Sequence, residues 1–212
     1  MASKLGLYNA ANLIIGERKL SSLTENRPSR RRLDSVWDDD GVKSCLQAGF
    51  WNFAMQSIEL THSPSIDPAF GFQYAFDKPT DWVRTAIVSA DENFSNELLN
   101  YEDQVAYWYA DCDPIYVRYV SDDAALGGDL SLWPANFTRY VEHYFAMRIS
   151  KATSNSTNDQ LELEAKVKRL LNEAKATDAM DESTKTLKPG SWSSARSGNS
   201  RRERGVRGQL IG

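Results

Sequence analysis

The segment FWNFAMQSIEL, at positions 50–60, marks the point where the sequence changes from a helical pattern to an extended one. In its second half Gln56, Ile58 and Leu60 alternate with Met55, Ser57 and Glu59, and a period of two residues is typical of a strand. The sequence therefore predicts that a β-rich part of the chain begins here, with helices on either side of it.

Upstream of this segment, apolar residues recur with the helical period. They predict a short first helix over residues 5–15, with Gly16 at the position where a glycine ends a helix. A second helix of roughly five turns is predicted to begin at Pro28 and to run to Gly49. The acidic run at residues 38–40 can interrupt it.

That acidic run invites comparison with a calcium-binding loop. If Asp38 and Asp40 take the third and fifth loop positions, Val36 falls at the first and Gln47 at the twelfth, so two required ligands are missing. We therefore predict no calcium site there.

Downstream, residues 55–60 and 70–76 are separated by a proline-containing loop and predict a hairpin. The aromatic and β-branched segments at 107–110 and 115–120 are predicted to complete one small antiparallel sheet. Between them the chain turns at Lys78-Pro79, and Asp81 can cap a short helical turn there.

The last ordered part of the sequence is predicted to be a pair of helices. Pro134 stands near the first position of a helix that runs to about Lys151, and a final amphipathic helix ends at about Ala176. The polar linker between them is short enough for the two helices to pack antiparallel.

This order of elements predicts an α+β fold. The simplest closure is a four-helix bundle with an inserted small antiparallel β-lobe and a C-terminal arm that is disordered when free. The expected boundaries are 1–50 and 131–179 for the two halves of the bundle, 51–130 for the β-rich lobe, and 180–212 for the basic arm.

The arm carries a charge opposite to that of the rest of the chain. Residues 183–212 hold seven Lys and Arg against the single acid Glu203, a charge of +6 on a chain whose total is −4. A basic segment rich in Gly and Ser has too few apolar residues to bury itself, so we expect it to become ordered on a partner. Its expected partner-binding residues are Trp192, Arg196, Arg201, Arg202, Arg204 and Arg207.

Catalysis is not expected. The sequence lacks the GxxxxGK[ST], GxGxxG, GxSxG and HExxH signatures, and His62 and His143 are expected to be a surface and a core histidine. Cys45 and Cys112 are too few for a metal ligand set, so we expect small buried side chains and no cofactor. The absence of an apolar run or signal-like N-terminus predicts a soluble protein, made in the cytoplasm, that does not contact a membrane.

Five short motifs, taken in order, resemble the head-to-tail adaptor family of bacteriophages, in particular tail tubular protein A of short-tailed phages. They are LYNAANLIIGE at 7–17, WNFA at 51–54, KPTDWVR at 78–84, IYVRY at 115–119 and LWP at 132–134. The segment PGSW at 189–192 is similar to a family tail. The resemblance spans roughly residues 5–176.

The resemblance implies a structural virion protein, located in the tail or neck, that lets DNA pass during ejection. It implies a ring, with twelve copies expected, that joins the portal protein to the tail tube or nozzle protein and continues the DNA channel. The arm would lie on the portal, with Trp192 as its anchor, because a buried tryptophan often dominates an interface. Genomic DNA would pass through without sequence-specific binding.

An alternative function rests on the arm alone. A disordered arginine-rich end binds polyanions without sequence preference, so the chain can also be interpreted as a nucleic-acid-binding accessory protein. A solvated tail without a specific contact is a third interpretation.

Overall fold

The computed structural model describes residues 2–68, 71–95, 97–154 and 157–181. Within this part of the chain there are five α-helices, two one-turn 3₁₀ helices (Asn52–Ala54 and Leu130–Leu132) and six strands, so the fold is α+β. The helices are α1 (Lys4–Ile14), α2 (Pro28–Asp38), α3 (Gly41–Gln47), α4 (Ala135–Ser154) and α5 (Thr157–Met180). The strands are β1 (Met55–Leu60), β2 (Tyr74–Asp77), β3 (Trp82–Ser89), β4 (Tyr101–Asp103), β5 (Tyr107–Ala110) and β6 (Ile115–Ser121).

We call α1–α5 the helical region and β1–β6 the β region. The strands form two antiparallel three-stranded sheets: sheet A, in the order β1-β6-β3, and sheet B, in the order β2-β5-β4. Apolar residues of both sheets, among them Val117 of sheet A and Trp108 of sheet B, share one buried core. Sheet A also contributes Val83 and Val120 to the larger core of the helical region. It therefore packs against both sheet B and the helices.

The four-helix bundle predicted from the sequence is wrong, because the second predicted helix is two helices. Asp40, between α2 and α3, has a left-handed φ of 58°, which a continuing right-handed helix does not allow. The next residue, Gly41, lies so close to the preceding turn that a Cβ atom there would be 2.4 Å from the Val36 carbonyl oxygen. The acidic run is a true break.

The single small sheet with its β1–β2 hairpin is also wrong. β1 pairs with β6, with Met55 opposite Val120 and Leu60 opposite Ile115, and β2 pairs with β5 in the other sheet. Asp81 does not begin a helical turn, because the chain continues directly into β3 at Trp82. Alternation along a strand indicates its faces but not its partner, so the sequence pattern could not exclude the local hairpin.

Other predicted elements are confirmed. α1 ends where expected, with Gly16 in the left-handed region at a φ of 77°. α4 and α5 pack antiparallel, since Asn136 at the start of α4 lies 3.0 Å from Thr177, in the last turn of α5. The expected disordered arm lies outside the described residues.

Candidate partner interface

Four aromatic side chains meet where the β region joins the helical region; we call Trp51, Phe53, Trp133 and Phe137 the aromatic cluster. The ring of Phe137 lies at the centre, 4.8 Å from that of Trp51, 4.9 Å from Phe53 and 5.0 Å from Trp133. These are favourable distances for tilted and edge-to-face ring pairs. Two of the five sequence motifs, WNFA and LWP, therefore meet around α4.

Hydrogen bonds fix both tryptophans of the cluster. The Trp51 indole N–H donates to the carbonyl oxygens of Cys45 and Leu46 at the end of α3, at 3.2 and 3.0 Å. The Trp133 indole N–H donates to the Gly127 carbonyl at 2.9 Å. A buried indole needs such an acceptor, so each ring is held both by packing and by a polar contact.

Beside the cluster, Asn52 binds the last turn of α5. Its backbone N–H donates to both carboxylate oxygens of Asp178 at 3.1 Å, and its side-chain amide donates to the Asp178 carbonyl oxygen at 2.7 Å. The one-turn helix at residues 52–54, which leads into β1, is thereby attached to the helix after which the C-terminal arm begins in the sequence.

A second cluster, which is polar, lies between sheets A and B and is formed by Lys78, Trp82, Thr85, Asp103 and Trp108. The Thr85 hydroxyl accepts from the indole N–H groups of Trp82 and Trp108 at 3.0 and 2.9 Å and donates to Asp103 at 2.6 Å. The Lys78 side chain is only 4% exposed; its amino group lies 3.6 Å from the Trp82 ring centroid and pairs with Asp103. We call this the inter-sheet polar cluster.

Two further motifs, KPTDWVR and IYVRY, meet through Asp81. Its carboxylate accepts from the hydroxyls of Tyr119 and Ser121, at 3.1 and 2.5 Å. Burial, followed by the charge and hydrogen bond of Asp81, raises the pKa of Tyr119. The carboxylate thus ties the start of β3 to β6.

The negative charge of the chain is concentrated in the β region. Residues 55–123 contain thirteen Asp and Glu against three Lys and Arg, a net charge of −10. The other residues of the body, 1–54 and 124–182, carry +2 and −2. The β region therefore has the opposite sign to the arm, and Leu99 and Val105, which flank β4, expose large apolar side chains on it, at 97% and 93%.

His143 lies in an open groove between three helices. The groove measures about 400 Å³ and is lined by α1, α4 and α5, with Glu162 and Lys166 among its residues. Burial lowers the pKa of His143, and its Nδ1 lies 2.9 Å from the Arg139 carbonyl one turn earlier. This histidine is therefore bonded to its own helix and oriented by it.

The other candidate residues are His62 and the two cysteines. His62 is exposed and its Nδ1 lies 2.7 Å from Asp113. Cys45 is fully buried, and burial raises its pKa to about 12, whereas Cys112 is half-buried. No group of three or more His, Cys, Asp or Glu residues in the described ranges is placed to hold a metal ion.

All six predicted arm residues lie outside the described residues: Trp192, Arg196, Arg201, Arg202, Arg204 and Arg207. The structure therefore does not bring them together with any other site. It does reveal two residues that sequence reasoning missed as contact residues, Thr85 and Asp178. Neither has a clear local signal, because Asn52 lies 126 positions from Asp178 and two of the three partners of Thr85 lie 18 and 23 positions away.

No protein-family model matches the sequence, and no curated protein matches it significantly. Of the helices in the described ranges, none combines the length and the apolar character needed to cross a membrane.

Proposed function

We propose that the chain is a head-to-tail adaptor of a virion, a ring component between a portal protein and a tail tube or nozzle protein. Neighbouring copies contact one another head to tail around the ring, and such a contact closes when the rotation between copies is a whole fraction of a turn. Twelve copies are expected from the family resemblance. The role is structural, without catalysis or a cofactor.

The observation that carries the proposal is the way in which the five motifs are used. WNFA and LWP meet in the aromatic cluster, and KPTDWVR and IYVRY meet at Asp81. The first motif supplies the buried face of α1, with Leu7 and Tyr8. These short motifs resemble the adaptor family in their order along the sequence, and here they also form the contacts that join the elements of the fold. They therefore support the same fold-determining role in this chain.

The arm is the proposed portal-docking element. Trp192 anchors it in a desolvated pocket of the partner, and the arginines pair with acidic groups, which aids orientation and association rate more than net affinity. Trp192→Ala is expected to weaken docking by about 2 kcal/mol or more. It should leave the stability of the free protein within about 0.5 kcal/mol, as expected for a surface change.

The decisive experiment is particle imaging of the chain mixed with a purified portal ring from the same virus. We expect a monomer in free solution by light scattering and rings only on the portal, because the contacts require ordering on the partner. Deletion of residues 183–212 should abolish docking and leave the fold intact. Undiminished docking after that deletion would remove the arm from the proposal.

The same variants test the alternative function. Tight binding of duplex DNA, with a steep salt dependence that disappears on deletion of 183–212, would favour a nucleic-acid-binding accessory protein. The adaptor proposal expects only weak DNA binding, since the body, with its strongly acidic β region, repels phosphates.

A further inference from the structure

The last turn of α5 is held by two side chains, one from α4 and one from the segment that leads into β1. Asn136 of α4 contacts Thr177 at 3.0 Å, within the helical region and at an exposed site. Asn52 reaches the same turn from the one-turn helix at residues 52–54, which leads into β1, and makes three hydrogen bonds with Asp178. The two asparagines form a natural comparison, because Asn136 belongs to α4, whereas Asn52 lies in the turn that leads into β1.

The Asn52 contact acts as a cap for the helix end. The last four carbonyl groups of a helix have no partner within the helix, and Asp178 is one of the last residues of α5. Its carbonyl oxygen receives the Asn52 amide at 2.7 Å, in addition to the Asp181 N–H at 3.1 Å. A residue 126 positions away in the sequence thus supplies a polar partner to the final turn.

The side chains packed around the Asn52–Asp178 contact fix its position. Trp51 and Phe137 of the aromatic cluster, together with Ala174 and Asp178 of α5, line one small crevice. Asn52 follows Trp51 directly, and the Trp51 indole is fixed to the end of α3. The atoms that cap α5 therefore sit on a rigid support.

We infer that Asn52 is a positioning residue: it holds the last turn of α5, after which the C-terminal arm begins in the sequence, against the segment that leads into β1. A partner that binds the arm meets a helix end already ordered. Without the Asn52 contacts only a fraction of the molecules has an ordered last turn, and the apparent dissociation constant rises by the inverse of that fraction. The docking part of the inference rests on the proposed function, whereas the ordering of the helix end does not.

The test compares full-length Asn52→Ala and Asp178→Ala with the control Asn136→Ala. In the free chain, hydrogen exchange of amides 174–181 should become faster by about fivefold or more in Asn52→Ala and Asp178→Ala, as expected when a cap is lost and the last turn opens. It should change by less than about twofold in Asn136→Ala. Asp178→Asn keeps a side-chain acceptor for the Asn52 N–H and should lie closer to the parent chain.

Docking on the portal ring is measured with the same set. We expect the dissociation constant to rise by about fivefold in Asn52→Ala and to stay within about twofold in Asn136→Ala. The double variant Asn52→Ala with Asp178→Ala should be weaker than either single variant, because Asn52→Ala removes the amide bond to the Asp178 carbonyl and Asp178→Ala removes the carboxylate that accepts from the Asn52 N–H.

Unchanged exchange in Asn52→Ala, or an equal effect in Asn136→Ala, overturns the inference whether or not the chain docks. Faster exchange with unchanged docking overturns the coupling to the arm. A parent chain that does not dock on the portal overturns the proposed function instead, and the exchange data then decide the positioning role by themselves.

Discussion

The helical region and the β region are stabilised in different ways. The helical core combines aliphatic side chains with tilted and edge-to-face aromatic rings, and the Phe137 ring alone lies within 5.0 Å of three neighbouring rings. The core between the sheets is smaller and contains the inter-sheet polar cluster, in which one hydroxyl, that of Thr85, bonds to three side chains. One region depends on packed volume, the other on satisfied polar atoms.

The difference matches the distribution of charge. The β region has a net charge of −10, and its small apolar core offsets the resulting electrostatic repulsion poorly. Directional contacts such as that of Lys78 with Asp103 place a cation inside the β region. The helical region has no such need. We therefore expect volume changes to be most harmful in the helical region and hydrogen-bond changes to be most harmful in the β region.

The largest effect is expected for Phe137→Ala. The side chain is 1% exposed, and its removal leaves a cavity bordered by Trp51, Phe53 and Trp133. The expected loss is about 3–5 kcal/mol in the free energy of unfolding, measured by denaturant titration. Leu161→Ala is the control, since that side chain is 58% exposed and should change stability by less than about 0.5 kcal/mol.

The second prediction addresses the β region with a change that keeps volume. Thr85→Val removes the acceptor of two indole N–H groups and a donor to Asp103, at an expected cost of about 2–3 kcal/mol. The matched control is Thr138→Val in α4, whose hydroxyl donates only to the Pro134 carbonyl at an exposed position. Equal small effects of the two changes would show that the inter-sheet polar cluster contributes little.

Features of the fold that have a local sequence signal could be predicted, whereas features without one could not. The end of α1 was predictable because Gly16 is a local signal, and the antiparallel α4–α5 pair follows from a short linker. The sequence left the break at Asp40 open, because it depends on one φ angle, and the β1–β6 pairing was missed, because it joins residues about sixty positions apart. Thr85 has no local signal at all, because its partners come from three strands. The arm residues proposed from the sequence stay a prediction.

The third prediction concerns alkaline pH. Burial, followed by a hydrogen bond to Asp34, raises the pKa of Tyr8 above its ordinary value of 10.0, and burial does the same for Tyr140. A raised folded-state pKa means that the folded protein keeps its proton longer, so this stability is complete below pH 10 and is lost as the pH rises further. The slope per tyrosine is at most about 1.4 kcal/mol per pH unit.

Tyr8→Phe removes one titrating group from the helical region, so unfolding free energies measured between about pH 9 and about pH 11.5 should fall less steeply than in the parent chain. Tyr119→Phe, in the β region, should likewise make the unfolding free energy fall less steeply with pH, because the pKa of Tyr119 is raised too. A parent chain whose stability is constant over this range would contradict the burial of these phenols as the source of the effect.

The smallest effect comes from the two non-glycine residues with a positive φ among those the structure describes, one in each region. Asp40, at 58°, makes no side-chain capping bond, so Asp40→Gly relieves backbone strain without losing a contact and should stabilise by about 0.5 kcal/mol. Phe94, at 53°, lies 4.5 Å from the Arg118 guanidinium. Phe94→Gly relieves similar strain but loses the cation–π contact and the apolar ring, and should destabilise by about 0.5–1 kcal/mol. Denaturant titration of both variants decides the matter: stabilisation by both changes would mean that backbone strain, and not the side-chain contact, determines stability at both turns.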